Sequence, residues 1–191
     1  MAENKHAGDF DNLIKDLKAL KLRIIQQCAV QALAFFKQSF INQGFTDNAL
    51  VKWKGREGGP KNTGRAVLVN RGVLKRGLRI KKTSIDGAVV GMDDAIPYAD
   101  IHNYGGEIPI TAQMRRFFWA MYYKYGGGQE KGHSQRAQAV NDLANFYRNL
   151  AITKDQVIKI PKRQFIGDSA TLERQLKTYI TGELDKYFQA L

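Results

Sequence analysis

The side chains that could take part in the widest range of chemistry lie between residues 93 and 102. Asp93, Asp94, Asp100 and His102 fall within ten residues, and carboxylates with a histidine can hold a divalent cation. Their spacing matches no metal-ligand pattern, and Asp93-Asp94 follows a predicted hairpin, where a turn is the simpler interpretation. We therefore expect no metal ligands here, and a metal-dependent nuclease is kept as a minor alternative.

Nucleophilic chemistry has less support in the sequence. Cys28 lies on the apolar face of a predicted helix, where a cysteine usually acts as a small hydrophobic residue. The chain contains no Gly-x-Ser-x-Gly turn, and the stretch GREGGPKNTG at residues 55–64 lacks the order of a phosphate-binding loop. His102 is expected to satisfy a backbone group inside the fold. These observations disfavour nucleophilic catalysis and a phosphate-binding loop.

Positive charge is the strongest signal in the composition. The chain carries a net charge of +12, and residues 51–85 contain eleven Lys and Arg against the single acid Glu57, a net charge of +10. Such a block attracts a polyanion or an acidic protein face, although it can also be a solvated loop. Because its one aromatic residue is Trp53, DNA would be met through phosphates, without base readout. The predicted contact residues are Lys52, Lys54, Arg56, Lys61, Arg65, Arg79 and Lys81.

Apolar spacing predicts a long amphipathic helix at each end of the chain. Residues 10–43 repeat apolar side chains at three- and four-residue steps, with Gly44 as the stop, and residues 172–191 form a second apolar stripe behind Asp168 or Ser169 as cap. Between them, the alternation in GLRIKKTSI and the turn dipeptide Asp86-Gly87 predict a hairpin. Arg79 and Lys81 should then face away from the core.

Weaker patterns predict the remaining elements. A loop is expected at 44–66 with Trp53 anchoring its base, and a glycine-rich tip is expected at 126–132. The other predicted elements are a helical turn at 97–104 closed by Gly105-Gly106, a strand at 107–110, a helix from Thr111 to Gly126, a helix at 135–151 with Ala139, Leu143, Phe146 and Leu150 on one face, and a strand at 157–160 ended by Pro161.

Together these elements predict an α+β fold. A small antiparallel β-sheet, made of the hairpin and one or two short strands, is packed by the long N-terminal and C-terminal amphipathic helices. We expect one domain over residues 1–191, with residues 111–154 as a helical insertion. The chain lacks an uncharged apolar run of the roughly 18 residues that a membrane span needs. The polar N-terminus and the single cysteine favour a cytosolic protein.

Four segments, in the expected order, resemble motifs of the phage virion morphogenesis family, which comprises the Mu-type tail completion proteins with looser kinship to siphophage tail-component and neck proteins. Residues 40–53 are similar to its "F…QGF…W" entry, and residues 70–80 to its "L…TG.L..SI" segment. Residues 90–106 are similar to "VG….PYA.IHQ.GG", with Asn103 where Gln is common. Residues 160–167 are close to "IPARPFLG", with Lys162 for Ala and Gln164 for Pro.

The resemblance implies a non-enzymatic structural virion component, without catalytic residues or cofactors, that is assembled in the bacterial host cytoplasm. Such a protein acts in tail completion or head–tail joining, as part of a homo-oligomeric ring that contacts tail-tube or connector proteins or, non-specifically, the DNA backbone. A small basic DNA-binding accessory protein is the main alternative. The motif residues would then be architectural: they orient a short helix, turn the chain tightly and aim the last helix at the core. These residues are Tyr98, Ile101, His102, Tyr104, Gly105, Gly106, Pro161, Phe165 and Gly167.

Overall fold

The computed structural model describes residues 3–55, 66–128, 134–154 and 156–190. It confirms the α+β class, with long helices at both ends. The helices are α1 (Glu3–Asn42), α2 (Val73–Gly77), α3 (Ala99–Tyr104), α4 (Ala112–Lys124), α5 (Gln135–Ile152) and α6 (Ala170–Gln189), with a short 3-10 turn at Gly126–Gly128. The strands are β1 (Gly44–Thr46), β2 (Leu50–Lys52), β3 (Leu78–Ser84), β4 (Gly87–Met92), β5 (Gly106–Pro109) and β6 (Val157–Ile160).

Among the described residues, the strands pair as three separate antiparallel ladders of two strands, where the sequence predicts one small sheet. β1 pairs with β2, β3 with β4, and β5 with β6. The chain packs in two compact units, the first formed by residues 1–53, 71–99 and 164–191, and the second by residues 54–70 and 100–163. The β5–β6 ladder belongs to the second unit, as does the predicted insertion at 111–154, whereas the β3–β4 hairpin belongs to the first unit.

The first unit is built on α1. Its buried residues repeat at helical steps, and the β3–β4 hairpin and α6 both pack against the helix. This arrangement confirms the two amphipathic helices and the hairpin expected from their apolar periods. The core side chains of this unit are Leu20, Ile24, Ala29, Ala32, Phe36, Phe40, Phe45, Leu74, Leu78, Phe165 and Leu172.

The helix α1 ends at Asn42, one residue before the end that the sequence predicts at residue 43. Gln43 takes the left-handed conformation, with φ 52°, and its side-chain Nε2 donates to the Phe40 carbonyl oxygen at 2.7 Å. Gly44 instead begins β1, where a Cβ atom would lie 2.4 Å from the Val51 carbonyl oxygen. The glycine is therefore required by the close approach of β2, and β1 and β2 occupy part of the predicted loop at 44–66. Residues 56–65 of that loop lie outside the described residues.

The β3–β4 hairpin has its turn one residue before the predicted dipeptide. Ser84 pairs with Gly87, so Ile85 and Asp86 form the two-residue loop. The positive φ of 154° belongs to Gly87, the first residue of β4. A register shift between Ile80 and Lys82 leaves Lys81 as a bulge, which tilts the strand locally.

The second unit is centred on the antiparallel helices α4 and α5. Thr111 and Ser134 cap them, each hydroxyl oxygen accepting a hydrogen bond from a first-turn backbone N–H at 3.2 Å. The predicted apolar face of α5 is not its most buried face, because Ala139 is exposed and the deepest residues are Ala137, Ala144 and Ala151. These alanines recur every seven residues. Their small side chains leave room for the aromatic rings of α4, among which Phe118 is buried.

The larger apolar residues of α5 line a shallow groove of about 270 Å³ against the β5–β6 ladder. Phe146 and Leu150 contribute from α5, and Ile110, Val157 and Ile158 contribute from the ladder and its flanks. Within the described residues, no helix has the length and apolar character needed to cross a membrane. The predicted tip at 126–132 is described only as far as Gly128, where it forms the 3-10 turn.

Candidate functional site

Motif residues that are distant in the sequence contact one another in two separate clusters. The first cluster lies in the first unit. The rings of Phe40 and Trp53 pack edge to face with centroids 5.6 Å apart, and Phe40 lies 5.2 Å from Phe165. Trp53 Nε1 donates to the Gln164 carbonyl oxygen at 2.7 Å, and its backbone N–H donates to the Gln43 carbonyl oxygen at 2.8 Å. Trp53 therefore anchors the base of the predicted loop, as expected from the sequence. We call Phe40, Trp53 and Phe165 the aromatic joint.

The second group surrounds the turn between α3 and β5. Gly105 has φ 76°, and a Cβ atom there would lie 2.8 Å from the Lys162 backbone nitrogen and 3.1 Å from the Ile160 carbonyl oxygen. A Cβ at Gly106 would come within 3.3 Å of Ile101. Glycine is thus required by both the backbone angle and the close approach of the chain after β6. The strand itself ends at Ile160, and Pro161 follows it directly.

The two tyrosines that are predicted to help orient the short helix lie largely at the surface of the protein. Tyr98 and Tyr104 expose 45% and 67% of their surface. The buried positions of α3 are Ala99 and Asn103, which lie four residues apart on one side of the helix. Tyr104 follows Asn103 by one residue, a rotation of about 100° that turns its ring outward.

His102 lies half-buried in α3, and its backbone carbonyl oxygen accepts a hydrogen bond from the Arg163 N–H at 2.9 Å. Burial lowers the pKa of His102 below its ordinary 6.5, and the positive charge of Arg163 lowers the pKa further. The imidazole is therefore neutral at pH 7. A neutral, half-buried ring on a residue whose backbone is bonded to the segment after β6 is consistent with the architectural role that the sequence predicts.

Arg163 is a buried charged residue that sequence reasoning did not single out. Only 8% of its surface is exposed, and its guanidinium donates to two successive carbonyl oxygens, from Nε to Lys54 and from Nη2 to Gly55, both at 3.1 Å. A buried charge needs such partners, because an unpaired one is strongly destabilising. The signal available in the sequence was its place between Pro161 and Phe165 in the last motif. Gly167, at the end of that motif, has φ 146°.

The predicted basic contacts are only partly described. Lys52 Nζ donates to the Asn42 carbonyl oxygen at 2.6 Å, and Lys54 is exposed. Arg79 and Lys81 face away from the core, as predicted, but each contacts a carboxylate. Arg79 Nη2 lies 2.9 Å from Asp93 Oδ1, and Lys81 Nζ lies 2.6 Å from Asp94 Oδ1. Arg56, Lys61 and Arg65 lie outside the described residues.

These ion pairs also bear on the metal hypothesis. The hydrogen bond from Lys81, together with its charge, lowers the pKa of Asp94, so this carboxylate stays ionised and directed at the lysine. The second carboxylate, that of Asp93, accepts a hydrogen bond from the Ala95 N–H at 3.0 Å, which confirms the turn expected at Asp93-Asp94. Within the described ranges, no three His, Cys, Asp or Glu side chains are grouped as ligands for a metal ion.

Other cations of the basic block remain exposed around the hairpin. Among the described residues, no carboxylate forms an ion pair with Arg71, Arg76 or Lys82. Their side chains stand near α2 and on β3, all within the first unit. We call these three residues the hairpin cations. They are exposed cations of the block that form no ion pair with an acid among the described residues.

No family model, curated protein or solved structure gives a significant match to this chain.

Proposed function

We propose that the protein is a structural component of phage or prophage virions, acting in tail completion or head–tail joining as one subunit of a ring. It works by shape and by positive charge, without turnover of a substrate. The observation that carries the proposal is the use of the motif residues in packing. The aromatic joint, the Gly105 turn and the buried Arg163 hold chain segments together and present no reactive group to solvent.

A ring imposes a geometric requirement on each subunit. Cyclic assembly needs two different, complementary patches, while a third surface meets the tail tube, the connector or DNA. The hairpin cations, which all belong to the first unit, supply a positive surface for one negatively charged partner. Lys81 and Arg79 are already paired with carboxylates, so their part in such a contact requires exchange of those ion pairs.

Deletion of the gene from the phage or prophage that carries it tests the structural role. Negative-stain electron microscopy should then show separate heads and tails, and complementation with the wild-type gene should restore joined particles. A complementing Lys177→Gln gene controls for the removal of an exposed cation on α6, far along the sequence from the hairpin, and should restore joining equally. Normal infectious particles from the deletion strain would show that the proposal is wrong.

A second candidate function, non-specific binding of duplex DNA, is favoured by the charge of residues 51–85. Gel retardation of random duplex over a salt series tests it with the triple variant Arg71→Gln/Arg76→Gln/Lys82→Gln. If all three cations contact phosphates, the slope of log K against log salt should fall in magnitude by about 2.7, or 0.9 per contact. Absence of binding at low salt would remove this candidate and leave an acidic protein face as the partner.

A further inference from the structure

The outer face of α4 combines exposed aromatic rings with exposed cations. Six of its exposed residues recur at steps of three, one, three, three and one, so they lie on a single side of the helix. Phe117 exposes 54% of its surface and Tyr123 exposes 69%. We define the α4 outer face by these six members, which are Gln113, Arg116, Phe117, Ala120, Tyr123 and Lys124.

The two exposed rings are braced by neighbouring aromatic residues. Tyr123 stacks on Trp119 with centroids 6.1 Å apart and an interplanar angle of 26°. Phe117 meets Tyr147 of α5 edge to face, at 6.4 Å and 88°. Rings held in this way lose little further side-chain entropy on binding, which favours their use as contact platforms. Between them lies Ala120, whose small side chain leaves the space between the platforms open.

The charge of this helix pair indicates the kind of ligand. α4 and α5 contain five basic residues, Arg115, Arg116, Lys124, Arg136 and Arg148, and one acid, Asp142. Arg115 donates to the carbonyl oxygens of Ala151 and Thr153, both at 2.9 Å, and so serves the fold. Arg116 and Lys124 have no ion-pair partner within the part of the chain that the structure describes. They stand beside the two rings.

We infer that the α4 outer face binds single-stranded nucleic acid, with bases stacking on Phe117 and Tyr123 and phosphates contacting Arg116 and Lys124. Aromatic platforms interleaved with cations suit a ligand that carries π-faces and negative charge in alternation. A duplex covers the faces of its bases, so it would use the cations alone. This inference does not depend on the proposed virion role and concerns a different surface from the hairpin cations.

Two other occupants fit the same face less well. A lipid surface is met by helices whose apolar residues lie on one side and whose cations lie on the other, whereas here both share one face. A second copy of the chain carries a net charge of +12 and would bring like charges together. The experiment below measures binding to a lipid surface and self-association as well as binding to nucleic acid.

Fluorescence anisotropy with labelled dT20 and a labelled 20-base-pair duplex tests the inference in the full chain. The double variant Phe117→Ala/Tyr123→Ala should weaken dT20 binding at least about tenfold, because each stacked base contributes roughly 1–3 kcal/mol. Its duplex binding and its salt slope should stay unchanged. The variant Arg116→Gln/Lys124→Gln should weaken binding to both nucleic acids, and its slope with dT20 should fall in magnitude by about 1.4.

Matched controls remove an exposed ring and an exposed cation from α6. Phe188 is 59% exposed, so Phe188→Ala and Lys177→Gln should leave dT20 binding within about twofold of wild type. The inference is overturned if wild type does not bind dT20 at low salt, or if the aromatic variant binds it as tightly as wild type. It is equally overturned if that variant instead loses binding to vesicles of anionic phosphatidylglycerol, or self-association in sedimentation velocity, while dT20 binding persists.

Discussion

Single residues in this protein act mainly through the space and the backbone angle that they permit. Gly105 illustrates this, because its positive φ and the nearby Lys162 backbone exclude a side chain. Trp53 and Arg163 illustrate the complementary case, in which a polar group inside the fold is matched to a specific carbonyl oxygen. Between positions 93 and 102, the carboxylates of Asp93 and Asp94 take part in a turn and in ion pairs.

A matched pair of glycines tests the strain argument. Gly105→Ala should lower the free energy of unfolding by about 1–3 kcal/mol, because alanine must adopt φ 76° against backbone atoms. Gly182 lies inside α6, and a Cβ atom there would have no other atom within 4 Å, so Gly182→Ala should raise the free energy of unfolding by about 0.5–1 kcal/mol. Urea unfolding followed by circular dichroism measures both. Equal effects of the two substitutions would contradict this interpretation of the turn.

The lowered pKa of His102 predicts a pH dependence of stability. Because burial keeps the folded imidazole neutral, the unfolded chain takes up the proton first as the pH falls through about 6.5. The free energy of unfolding should therefore fall between pH 7.5 and 5.5, and His102→Gln should show a smaller fall. Thermal and urea unfolding at a series of pH values measure the difference. Parallel pH profiles for the two proteins would exclude His102 as the source.

Helices and strands in this chain owe their positions to the residues at their ends and to the size of their neighbours. Ser169 is the cap of α6, and its hydroxyl accepts from the Leu172 N–H and also donates to the Thr46 carbonyl oxygen at 2.8 Å. It therefore ties α6 to β1 as well as starting the helix. In the second unit, alanines occupy buried positions at every seventh residue of α5. Their small side chains allow the aromatic helix α4 to approach closely.

Two caps with the same local chemistry test the added contact. Ser134→Ala removes only the cap of α5 and should cost about 1 kcal/mol of unfolding free energy. Ser169→Ala also leaves the Thr46 carbonyl oxygen without its donor, so it should cost about 2–3 kcal/mol. Denaturant midpoints compared at an unchanged m-value give the two costs. A loss at Ser134 as large as the loss at Ser169 would show that the Thr46 contact adds nothing.

The whole molecule combines two compact units with a large positive charge. A net charge of +12 opposes association between copies unless counter-ions or an acidic partner screen it. The proposed ring therefore has to form through contacts that outweigh this repulsion. Phe40, Phe165 and Arg163 are buried, so such contacts are left to residues on the exposed surfaces of both units.

The charge predicts how self-association responds to salt. Sedimentation velocity at about 50 mM and about 500 mM sodium chloride should show a larger oligomer fraction at high salt, since screening weakens repulsion between the cationic copies. The variant Arg71→Gln/Arg76→Gln/Lys82→Gln, which lowers the net charge by three, should associate more at low salt and depend less on salt. Oligomers that dissociate as salt rises would show that subunits attract through opposite charges instead.

Several elements were predictable because their signals are local. Each signal spans only a short stretch of sequence. The signals are the apolar periods of α1 and α6, the alternation of β3 and the cap at Thr111. The short β1–β2 ladder was not predictable, because strands of three residues have no readable period and depend on pairing. The most buried face of α5 was not predictable for a related reason. The prediction follows the larger apolar residues, whereas the positions that are buried in the second unit are alanines.

By itself, the amino-acid sequence determined the α+β class, the two terminal helices, the hairpin and the concentration of charge in residues 51–85, since these follow from composition and short-range periodicity. Only the tertiary structure decided that the strands form three ladders, that Asp93 and Asp94 pair with Arg79 and Lys81, and that Arg163 is buried against Lys54 and Gly55. The physical reason is that hydrogen bonds and ion pairs between distant residues depend on how the chain folds back on itself. No local pattern of side chains specifies which distant residues come within bonding distance of one another.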